Sequence, residues 1–143
     1  MSYTYKYPRP ALTVDAMVFR KNAEGWQVLL IKRKNEPFKD KWALPGGFVD
    51  MNETLEEAVV RELQEETGLH EIPLKQYHAF SDPNRDPRGR TVSVVFYAFV
   101  EGKTNVKGSD DAAEAQWHNL NQLPGLAFDH QQIIRKAIDD LIL

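Results

Sequence analysis

Apolar residues crowd the stretch from Leu12 to Phe19 and return from Trp26 to Ile31, with Asn22-Ala23-Glu24-Gly25 between them. Two such runs around a glycine-containing turn predict a β-hairpin. Thr91 to Val100 is apolar on both alternating faces, the pattern of a strand in the middle of a covered sheet. Shorter strand patterns fall at Trp42–Leu44, Leu74–Phe80 and Ala115–His118. Helical spacing appears twice. From Thr54 to Thr67, Leu55, Ala58 and Val59 mark an inward face; Thr54 and Glu57 match a capping box, and Gly68 sits where a left-handed C-cap belongs. Near the end, Ile133, Ile134, Ala137, Ile138 and Leu141 form one stripe behind Asp129, read as the N-cap. Residues 1–10 read as an extended lead-in, Lys32–Lys41 as a charged loop broken by Pro37, and Pro45-Gly46-Gly47 as a tight turn. Polar loops are expected at Ser81–Arg90 and Gly102–Asp111. Mixed strands with two helices predict an α/β fold, with helices on both sides of a central mixed sheet. Without internal repeats or a linker, residues 1–143 read as a single domain.

Composition narrows the function. A net charge of −3 argues against a general nucleic-acid binder, which needs a basic face. With no cysteine, disulfides, thiolate zinc sites and cysteine nucleophiles are excluded. That absence fits a cytoplasmic location. The first seven residues lack the apolar core of a secretory signal, and no apolar run is long enough for a membrane span.

The first helix carries the candidate chemistry. Its apolar stripe continues, turn by turn, into Glu62 and Glu66, with Glu65 beside them. On an exposed face such like charges would cost only about 0.2–0.5 kcal/mol. At an inward position an unpaired carboxylate costs several kcal/mol, so a compensating cation is expected. A solvated surface helix, with Arg61 pairing Glu57 and Glu65, is the plain alternative. The glycines upstream favour the metal reading, because a backbone carbonyl near Gly46 or Gly47 can approach the same ion. Oxygen ligands and a phosphate substrate suit Mg²⁺.

Gly47, Glu53, Arg61, Glu62, Leu63, Glu65, Glu66, Gly68 and Leu69 fill every fixed position of the pattern G-x5-E-x7-R-E-U-x-E-E-x-G-U. This is the Nudix box, and the chain resembles the Nudix hydrolases over nearly its whole length. The resemblance implies a Nudix-type α/β/α sandwich and hydrolysis of a nucleoside diphosphate linked to a further group. It makes Glu62, Glu65 and Glu66 metal ligands, with the Gly47 region adding a carbonyl. Glu53 would hold a ligand in place, and Arg61 would orient a glutamate. Mg²⁺ is the expected cofactor, with Mn²⁺ as a substitute. The general base is a box glutamate or an acid of the later loop. Asp110, Asp111 and Glu114 are the candidates there, and Asp111 comes first by its distance to Trp117.

Ser81–Ser93 includes Asp82-Pro83-Asn84-Arg85-Asp86-Pro87-Arg88-Gly89-Arg90. This loop and Pro37–Trp42 resemble the ADP-ribose pyrophosphatase branch, which implies cleavage of ADP-ribose to AMP and ribose 5-phosphate. Arg33, Arg88 and Arg90 are candidates for holding phosphate or ribose, and Phe38 or Phe80 for stacking on adenine. Simple packing and surface ion pairs are the alternatives. His70, His78, His118 and His130 show no metal spacing and receive no role. Rival readings are a pyrophosphohydrolase of nucleoside triphosphates or other conjugates, and a non-catalytic ADP-ribose sensor. The intact box and a chain ending at Leu143 weigh against the sensor. The expected partner is a small nucleotide, with neither nucleic acid nor membrane. Many family members form homodimers, and Tyr3-Tyr5-Tyr7 is a candidate added strand for that.

Overall fold

The computed structural model describes residues 2–102, 104–106, 112–141 and 143. The elements run β1 (Ala11–Asn22), β2 (Gly25–Arg33), β3 (Trp42–Ala43), β4 (Gly46–Phe48), α1 (Leu55–Thr67), β5 (Lys75–Phe80), β6 (Thr91–Val100), β7 (Ala112–Asn119) and α2 (His130–Leu141). The strands order as β3-β2-β1-β6-β5, with β4 pairing β1 and β7 pairing β2. The sheet is mixed: β1 and β6 run parallel over ten residue pairs, and the other pairings are antiparallel.

Side-chain alternation along β1 divides the core between two layers. Val14, Ala16 and Val18 face one way and pack with Ala58, Val59 and Leu63 of α1. Met17 and Phe19 face the other way and pack with Ile133, Ile134 and Ala137 of α2. The expected α/β/α sandwich is therefore the observed one. The capping box at Thr54 and Glu57 forms, and Gly68 takes φ 80°. No helix among the described residues is long and apolar enough to cross a membrane. Residues 2–10 make no strand, and Tyr3, Tyr5 and Tyr7 are exposed.

Two local expectations need correction. The Pro45-Gly46-Gly47 turn is in fact the entry to β4, whose Gly46 and Gly47 pair with Asp15 and Val14. Positive φ occurs at Gly25, Gly68 and Gly89, so backbone angle is not why these two glycines are needed. Close approach is the reason. A Cβ on Gly46 would lie 2.1 Å from the Val14 carbonyl oxygen, and one on Gly47 2.6 Å from Glu62 Oε1. Asp129 does stand just before α2, and its carbonyl accepts the Ile133 amide. Its carboxylate, however, is taken by Arg85 instead of capping the helix.

The split partnership of β1 shapes the functional region. Its second half pairs with β2 and its first half with β4. A cleft opens where β2 and β4 diverge.

Candidate active site

The cleft holds about 480 Å³ and has three chemically distinct walls. Glu62 and Glu66 of α1 face it from one side, beside Gly46 and Gly47. Thr13 and Asp15 of β1, Ser93 of β6 and His130 of α2 form its floor. Arg33, Lys34, Arg85 and Arg88 stand on the far side, with Phe48 and Phe128.

On the α1 wall, Glu66 is 5% exposed, and its Oε1 accepts the Gly46 amide at 2.8 Å. Burial, reinforced by Glu62 and Asp15, pushes its carboxyl up to about 9. Burial also raises Glu62, against the pull of Arg61. The two carboxyls lie one turn apart and interact directly, so burial and their proximity together favour the protonated form of Glu66. Asp15 is pushed up to about 7, chiefly by burial, with Asp129 and Glu62 adding and Arg85 opposing.

Arg61 is the local counter-charge. Its guanidinium donates to Glu53 at 2.6 and 3.0 Å, to Glu62 at 2.8 Å, to Glu65 at 3.3 Å and to the Phe48 carbonyl at 3.3 Å. Those bonds, with the Asp50 amide, pull Glu53 down to about 2. Arg61 of α1 is thus shared among Glu53, Glu62 and Glu65, while Glu66 pairs with no cation among the described residues. Hard carboxylate oxygens crowded in a poorly solvated wall have the chemistry of a divalent-cation site. Among the described residues no three His, Asp or Glu side chains are gathered for an ion as they stand. Arg61 holds Glu62 and Glu65 on its own side.

A NUDIX domain model matches residues 9–141. The chain belongs to the Nudix family. It is 51% identical over 129 residues to the ADP-ribose pyrophosphatase of Methanocaldococcus jannaschii, covering 90% of this chain and 73% of that one. The NUDIX domain of Shewanella oneidensis NrtR, solved with ADP ribose, superposes with a TM-score of 0.87 at 35% identity, covering 97% of this chain and 94% of that one. A bifunctional NMN adenylyltransferase/ADP ribose pyrophosphatase from Francisella tularensis, solved with AMP and a Mn ion, gives a TM-score of 0.81 at 32% identity. That match covers 95% of this chain and 43% of the Francisella one.

In this Nudix protein the expected site residues separate into three groups. Gly47, Glu62, Glu66, Arg33 and Arg88 line the cleft. Glu53, Arg61 and Glu65 stand behind it, and the Glu65 side chain is 43% exposed. Phe38 and Arg90 lie away from the lining. Phe38 packs behind Phe128, ring centres 4.8 Å apart, and Arg90 donates to the Ser81 carbonyl at 2.5 Å. Phe80 packs at the margin of the α2 core. Asp110 and Asp111 lie outside the described residues. Glu114 is exposed on β7 opposite Lys32.

Several cleft residues carried no expectation. Phe128, with φ 53°, touches two of the four cationic side chains of the far wall, with Arg33 5.0 Å and Arg88 5.2 Å from its ring centre. Arg88 also lies 4.8 Å from the Phe48 ring and pairs with buried Asp86 at 2.8 Å. Arg85, 4% exposed, grips Asp129 at 2.6 and 2.9 Å and donates to Ser93 at 2.8 Å. Asp15 and Ser93 had a signal in the sequence, as polar residues inside apolar strands. Phe128 and His130 had none.

Proposed function

We propose that this Nudix protein is a Mg²⁺-dependent pyrophosphohydrolase whose substrate is ADP-ribose, cleaved by water to AMP and ribose 5-phosphate. The observation that carries this reading is the polarity of one cleft. A buried carboxyl, Glu66, and a half-buried one, Glu62, with one arginine between them share a cleft with further arginines in a space large enough for a nucleotide. A diphosphate bound there has a place for its metal at one end and guanidinium partners at the other. The 51% identity to an archaeal ADP-ribose pyrophosphatase supports the substrate.

Glu62 and Glu66 are the proposed ligands, with Glu65 joining them by turning from Arg61, and the carbonyl of Gly47 completing the set. A divalent cation in this position supplies charge neutralisation for the diphosphate and an acidified water. Arg61 keeps Glu53 and Glu62 in register, and the bare Gly47 leaves room for the Glu62 carboxylate. Arg88 and Arg33 meet phosphate oxygens, Arg88 braced by Asp86. The general base is Glu62 or Glu65 once freed from Arg61, or Asp111. A cation held here would need the carboxylate forms of Glu62 and Glu66, which burial disfavours in its absence.

The test is product analysis on ADP-ribose in ¹⁸O-labelled water with Mg²⁺ or Mn²⁺. AMP and ribose 5-phosphate, one of them labelled, are expected. A second reading, ADP-ribose sensing, is favoured by the likeness to the Shewanella NrtR domain. Tight binding without turnover under these conditions would select it.

A further inference from the structure

The floor of the cleft carries polar side chains that diphosphate chemistry does not use. Asp15 sits on β1 between buried Val14 and Ala16 and is itself 6% exposed. Across from it lies His130, the first residue of α2, 4% exposed. His130 Nδ1 accepts the Leu44 amide at 3.0 Å. An accepting ring nitrogen carries no proton, so the neutral imidazole must carry its proton on Nε2. Burial holds this ring down at about 4, which keeps it neutral at pH 7.

Nε2 faces Asp15 Oδ1 at 3.9 Å. That is too long for a hydrogen bond. It is the right span for one intervening oxygen: an atom about 2.8 Å from both would see them at an angle of about 90°. A hydroxyl fits both neighbours, accepting from Nε2–H and donating to the carboxylate. The charges nearby are already satisfied. Arg85 is locked to Asp129 and also donates to Ser93; the hydroxyls of Thr13 and Ser93 hydrogen-bond to each other, and Ser93 also bonds the Asp15 carboxyl, whose Oδ1 faces His130. A floor of paired charges and hydroxyls suits a neutral polyhydroxyl group better than an anion.

We propose that Asp15 and His130 form a subsite for a sugar hydroxyl of the substrate, and so select ribosyl groups over deoxygenated ones. This rests on the reading of the cleft as a nucleoside-diphosphate site. ADP-ribose offers two sources of such hydroxyls, the adenosine ribose and the terminal ribose.

The test compares ADP-ribose with two analogues. One carries 2′,3′-dideoxyadenosine; in the other, tetrahydrofurfuryl replaces the terminal ribose. Both kcat/KM and Kd are measured for the wild type, His130→Asn and Asp15→Asn. Asparagine at 130 keeps an acceptor for the Leu44 amide and removes the Nε2 donor. The wild type should disfavour one analogue by about a hundredfold or more, because a site built around a hydroxyl rejects its absence. The analogue disfavoured identifies the ribose. Each folded variant should bring that ratio close to one and leave the other ratio unchanged. Equal use of all three substrates by the wild type would overturn the proposal without any variant. So would a variant with normal melting behaviour that keeps the wild-type ratio. If ADP-ribose is bound but not cleaved, the hydrolytic reading fails, while the Kd ratios still decide the subsite.

Discussion

The two ends of the cleft handle charge in opposite ways. At the α1 end acidic groups outnumber cations among the described residues: Arg61 serves Glu53, Glu62 and Glu65, and Glu66 accepts the Gly46 amide without an ion pair. At the far end two of the four cations are paired within the fold, Arg85 to Asp129 and Arg88 to Asp86. A buried charge without a partner costs stability until a ligand supplies one; a buried pair is costly only when broken. The first end is therefore organised for what binds to it. The second holds its own shape and presents that shape to a substrate.

This contrast predicts opposite stability effects from the two ends. Glu66→Gln should lower kcat at least roughly a thousandfold, about 4 kcal/mol of transition-state stabilisation. In EDTA at pH 8 the same variant should melt higher than the wild type, because it removes an unmatched buried acid yet still accepts the Gly46 amide. A lower melting temperature would show that the carboxylate is structurally satisfied. Arg85→Ala should act the other way, destabilising by about 3–5 kcal/mol as Asp129 loses its partner. Chemical denaturation measures this, and a loss under 1 kcal/mol would refute the matched-charge view. Arg88→Ala should raise KM about tenfold, roughly 1.4 kcal/mol, with Mn²⁺ affinity unchanged. Unchanged KM would remove that arginine from the substrate wall.

The smallest expected effect is on pH dependence. Glu66 and Asp15 have folded values above their ordinary ones, about 9 and about 7. Between the ordinary carboxylate range and those values the folded chain keeps protons that the unfolded chain has lost. Their contribution to stability is thus full in acid and falls as pH rises. His130, lowered to about 4, works in the opposite sense between about 4 and its ordinary 6.5. Above pH 6.5 the carboxyls alone remain, so metal-free melting temperatures should decline from pH 6.5 to 9. Glu66→Gln should flatten that decline, and Mn²⁺ should raise the wild-type curve most at its alkaline end. A flat wild-type curve in EDTA would place these acids in a more solvated setting.

How far each end was legible before the fold was known follows from how it is built. The α1 end comes from one contiguous run, Gly47 to Leu69, in which helical period fixes what faces inward. Leu55, Ala58 and Val59 point to Glu62 and Glu66 with no tertiary information. The floor and far wall come from β1, the end of β2, β4, the β5–β6 loop, β6 and the start of α2, brought together by strand pairing to β1, including the parallel pairing of β6, and by the packing of α2. Parallel register puts Thr13 beside Ser93, although 80 residues separate them. Asp15 could have been noticed as a charge inside an apolar strand. His130 could not, since its meaning comes from the Leu44 amide, 86 positions away. Among the arginines, charge density singled out Ser81–Arg90, but only backbone geometry directs Arg88 into the cleft and Arg90 out of it.

The account depends on Glu62 and Glu66 receiving a cation in exchange for a proton. Calorimetric titration with Mn²⁺ at pH 7.5, repeated in buffers of different ionisation enthalpy, measures both events together. One or more ions should bind the wild type with release of about one proton from this pair, and Glu66→Gln should lose both the affinity and the proton. Wild-type binding with no proton released, or equal binding by Glu66→Gln, would contradict the account.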